Sequence, residues 1–99
     1  MDYETGYQMT IGGRSVAGAA TIDVVNPATG QVFATAPDCS RAQLDEAVAS
    51  AQAAFPAWKA LPVAERQALV RQCGEALMAH AEGLSRLFTR EQGRPTDAA

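Results

Sequence analysis

The 99-residue sequence holds one histidine and two cysteines, and none of its apolar runs approaches the ~20 residues that a membrane-spanning helix needs. Cys39 and Cys73 stand 34 residues apart, neither a metal-ligand nor a redox spacing, and read as free reduced thiols. Met1-Asp2-Tyr3-Glu4 carries the wrong charge for a signal peptide, so the chain reads as cytoplasmic. A basic cluster is missing too: eight Lys and Arg stand against eleven Asp and Glu, for a net charge of −3. That balance offers no electrostatic footprint for nucleic acid or an anionic membrane, and neither is expected as a partner. Large apolar side chains are also scarce. Of 47% hydrophobic residues, 21 side chains are alanine, and Leu, Ile, Val and Phe together number 18. The length allows at most one small domain. A thin core with little net charge predicts folded elements that pack weakly on one another.

What is present divides near residue 40, where an acidic, β-patterned half gives way to a charge-balanced, helix-patterned one. Residues 1–7 show no period and read as a flexible leader. Met9-Thr10-Ile11, Gly12-Gly13 and Arg14-Ser15-Val16 read as a hairpin, because two glycines supply the positive φ angles of a primed turn. Gly18 among alanines is expected to loosen the chain. Thr21–Val25 forms a strand, Asn26-Pro27-Ala28-Thr29-Gly30 a turn, and Gln31–Ala36 a second strand stopped by Pro37-Asp38. From Ser40 the period becomes 3.6, with Ser40 and Gln43 spaced for a capping box. The stripe Leu44, Ala47, Val48, Ala51, Phe55 predicts a helix ended by Pro56, with Trp58 and Leu61 in the connection beyond. Pro62 opens a further helical stretch with the stripe Val70, Cys73, Leu77, His80, Leu84, Leu87, broken near His80–Gly83 and closed by Gly93 and Pro95. The fold class is α/β: short β-hairpins followed by two or three α-helices.

Catalytic chemistry does not assemble from these residues. His80 lies on the apolar stripe and reads as a semi-buried structural residue; Glu75, five residues back, is on another face. Cys73 shares the stripe as a small buried hydrophobe. Cys39 sits where helix-start amides favour a thiolate, yet lacks a base. Gly12-Gly13 has neither a third glycine nor a following helix, so it is no dinucleotide loop. Glu82 and Arg86 are spaced as a solvated i, i+4 pair. No side chain is assigned a catalytic, cofactor-binding or metal-ligating role on its own evidence.

Five segments in order, Ile11-Gly12-Gly13, Val25-Asn26-Pro27-Ala28-Thr29-Gly30, Ala53-Ala54-Phe55-Pro56-Ala57-Trp58, Pro62-Val63-Ala64-Glu65-Arg66 and Glu91-Gln92-Gly93-Arg94-Pro95, resemble the start of the aldehyde dehydrogenase superfamily. The resemblance runs from about Met9 to Pro95. It implies that residues 8–99 are a partial N-terminal, NAD(P)-binding domain, cut before the Rossmann-type cofactor segment and the catalytic domain. The family's nucleophilic cysteine, general-base glutamate and oxyanion-stabilising asparagine would lie past the equivalent of Ala99. Arg71-Gln72-Cys73-Gly74 does not match the nucleophile motif, since its glycine is on the wrong side and it lies in a helix.

For the complete enzyme the resemblance implies oxidation of an aldehyde to a carboxylic acid with NAD or NADP, through a thiohemiacetal and a thioester. The chain alone would bind neither cofactor. Its partner would be the C-terminal remainder of the enzyme, the whole forming a homo-oligomer. Some members hold a monovalent cation through backbone oxygen and a carboxylate, positions that correspond here to Val24 or Val25 and to Glu91. The Glu91–Pro95 turn is similar to that of semialdehyde-oxidising members. The competing reading is a stand-alone, non-enzymatic helical interaction module derived from the family. A downstream Gly-Gln-x-Cys motif in an open frame separates the first reading from the second.

Overall fold

Two antiparallel hairpins precede three helices in the computed structural model, which describes residues 6–95. Strands β1 (Met9–Ile11) and β2 (Arg14–Val16) pair around Gly12 and Gly13, whose φ angles of 61° and 76° give the expected primed turn. Strands β3 (Ala20–Asn26) and β4 (Gln31–Asp38) form the second hairpin. Its turn is self-contained: Asn26 Oδ1 accepts from the Ala28 N–H at 2.9 Å, and the Asn26 carbonyl accepts from Gly30 at 2.8 Å. The expected stop at Pro37 is not observed, for β4 runs on to Asp38 with Pro37 opposite Thr21. A two-stranded sheet has only edge strands, and an edge tolerates a residue without an N–H.

Helix α1 (Arg41–Ala60) starts as its sequence dictates, with the Ser40–Gln43 capping box closed in both directions. It does not end at Pro56. The proline forfeits only its own bond to the Gln52 carbonyl, and an established helix propagates without a new nucleus into Ala57-Trp58-Lys59-Ala60. Trp58 therefore lies in the helix and only Leu61 in the connection. Pro62 sets the end instead, holding Leu61 extended at φ −65°, ψ 142°. Helix α2 (Val63–Ala79) follows, and α3 (Ala81–Gln92) begins after the expected break at His80, whose backbone sits at φ −112°, ψ 14°. Gly93 closes α3 in the left-handed region at φ 76°, its N–H donating to the Thr89 carbonyl at 2.8 Å.

Packing is as weak as the composition predicts. The radius of gyration is 16.7 Å, whereas a compact domain of this length would have about 13 Å. Among the described residues Ile11, 4% exposed, is the buried apolar side chain. Helix α1 leans on the first hairpin and α3 on the second. The face that α1 turns to its hairpin takes only the small members of the predicted stripe, Ala47 and Ala51. Gln43, Ala47 and Ser50 are half-buried, while Leu44, Val48 and Phe55, roughly a third of a turn away, are exposed. Small side chains are needed there, because a Cβ on Gly12 would lie 3.2 Å from Ser50 Oγ. Gly18 does not loosen the chain either. It is wedged where an added Cβ would meet the Ala20 oxygen and the Asp38 nitrogen at 2.8 Å.

Candidate functional site

A concavity of about 250 Å³ lies between the β3–β4 hairpin and α3. Val24 of β3 and Phe33, Ala34 and Ala36 of β4 form one wall; Leu87 and Glu91 of α3 form the other. Strict alternation would send Phe33 and Ala34 to opposite faces. A register shift between Val24 and Val25 places Val24 opposite Ala34 and Val25 opposite Val32, leaving Phe33 as the extra residue of a bulge. That bulge lets Phe33 join Ala34 at the cavity. Tyr7 also lines it and is half-buried. The leader read over residues 1–7 thus contributes one wall residue, while residues 1–5 lie outside the described residues.

Neither Tyr7 nor the bulge was legible in the sequence: Tyr7 has no periodic neighbours, and a one-residue bulge changes no residue type. The structure does bring Val24 and Glu91 to one cavity, whereas Val25 is exposed and outside its lining. Glu91 supplies the single carboxylate on these otherwise apolar walls.

Cys39 and Cys73 are both exposed free thiols, so the burial expected of Cys73 is not observed, because α2 has no packed neighbour on that face; Cys39 Sγ lies 3.3 Å from the Ser40 carbonyl oxygen as its donor. His80 is half-buried at the α2–α3 junction, where its N–H donates to the Leu77 carbonyl at 3.0 Å. The expected Glu82–Arg86 pair forms on α3. Among the described residues no three His, Cys, Asp or Glu side chains gather to hold a metal ion. No helix among them is long and apolar enough to cross a membrane.

The sequence profile of the aldehyde dehydrogenase family matches residues 15–99. The chain belongs to the aldehyde dehydrogenase family. It is 44% identical over 75 residues to the glutarate-semialdehyde dehydrogenase of Pseudomonas putida, covering 76% of this chain and 16% of that enzyme. Over 86 residues it is 43% identical to malonate-semialdehyde dehydrogenase 2 of Geobacillus thermodenitrificans, covering 85% of this chain and 18% of the relative. The crystal structure of an NAD-dependent aldehyde dehydrogenase from Sinorhizobium meliloti superposes with a TM-score of 0.87 at 36% identity, covering 93% of this chain and 19% of that one. This aldehyde dehydrogenase-family chain therefore spans about one-fifth of the length of the proteins it matches.

Proposed function

We propose that this chain is the N-terminal part of an NAD- or NADP-dependent aldehyde dehydrogenase that oxidises an aldehyde to a carboxylic acid. The observation that carries the reading is the superposition at a TM-score of 0.87 on 19% of a dehydrogenase chain, the match covering nearly the whole of this one. Relatives named as glutarate- and malonate-semialdehyde dehydrogenases favour an aldehyde that also bears a carboxylate. A cytoplasmic homo-oligomer, without nucleic-acid or membrane partners, fits the same reading.

The described residues do not fit the dinucleotide. A pyrophosphate needs free amides at a glycine-rich helix start. Here the positive-φ glycines Gly12 and Gly13 turn a hairpin, and the Ser40–Gln43 box already occupies donors at the start of α1. The chain's part is to scaffold residues 8–99 beside a cofactor segment and catalytic residues carried elsewhere. Sharing of one cavity by Val24 and Glu91 supports a contribution to a monovalent-cation site, but one carboxylate and backbone oxygen do not complete a coordination shell without further polypeptide.

A chimera tests the reading. This chain replaces the matching segment of the Pseudomonas putida glutarate-semialdehyde dehydrogenase, and semialdehyde-dependent NAD(P)H formation is measured. Retained activity is expected, together with an open reading frame after Ala99 that encodes a Gly-Gln-x-Cys motif. A stop codon there, with an inactive chimera and cooperative melting of the chain alone, would assign the protein to the stand-alone module instead.

A further inference from the structure

We draw no further inference here: the strongest candidate, the hollow on α2 lined by Arg66, Gln67, Val70 and Arg71, where the buried Nε of Arg66 has no hydrogen-bond partner among the described residues, carries none because nothing in the structure shows what covers it.

Discussion

The carbonyl of Ala17 accepts a 3.0 Å hydrogen bond from Nε2 of Gln43, a contact made across 26 residues of sequence. The same side chain accepts from the Ser40 and Ala19 N–H groups at 3.0 and 3.1 Å. One amide thus caps α1 and fastens the segment that joins the two hairpins. Gln43→Ala removes all three bonds, each with a net worth of about 0.5–1.5 kcal/mol and toward the lower end at exposed sites. Gln43→Glu keeps both acceptances and adds a charge favoured at a helix N-terminus, while losing the bond to Ala17. Amide exchange at Ala19 should accelerate strongly in Gln43→Ala and only modestly in Gln43→Glu. Equal rates in both would show that acceptance by the side-chain oxygen does not protect the Ala19 amide.

Gly93 ties the end of α3 to the turn of the second hairpin. A Cβ there would lie 2.9 Å from Cγ of Pro27, and φ is 76°. Gly93→Ala incurs about 1–2 kcal/mol for the left-handed backbone, plus the clash. Pro27→Ala should relieve only the clash. In a double-mutant cycle the two substitutions should couple by about 0.5–3 kcal/mol. Additive effects on Gly93 amide exchange would refute a contact between them.

Two helix positions should accept stabilising changes. Gly74 has open space where a Cβ would go, so Gly74→Ala is worth about 1 kcal/mol of helix propensity in α2. Pro56→Ala restores a backbone donor inside α1, for a gain of up to about 3 kcal/mol. Circular dichroism at 222 nm should report higher helix content in each. A loss in Pro56→Ala would mean that the proline fixes a geometry α1 requires.

Truncation should separate the two isoleucines. Ile11 is 4% exposed beneath α1 and Ile22 is 53% exposed on β3. Ile11→Ala should cost about 2–4 kcal/mol, detected as loss of protection in the first hairpin and the adjoining turns of α1. Ile22→Ala should stay within about 1 kcal/mol in the 99-residue chain.

Calorimetric titration of the isolated chain with NAD or NADP should show no binding, and aldehydes should yield no NAD(P)H. A hydrophobic dye should bind it more strongly than a compact control domain, since Leu44, Val48, Phe55, Val70 and Leu77 all stand exposed. NAD(P)H formation that persists with both cysteines substituted would refute the placement of the active site outside this segment.

The amino-acid sequence by itself determined the local events: the Gly12-Gly13 turn, the Asn26–Gly30 turn, the Ser40–Gln43 cap, the break at His80 and the Gly93 stop. Each is decided by steric freedom or hydrogen-bonding groups within a few residues, which a linear reading contains. Helix α1 ran through Pro56 because the price of one lost bond is set by the turns already formed on either side. Tertiary structure alone decided which face of α1 meets the hairpin, since a glycine turn can approach Ala47 and Ser50 more closely than Leu44 or Val48. It also brought Tyr7, Val24, Phe33 and Glu91 to one cavity, through a bulge that changes the direction of side chains without changing their pattern along the strand.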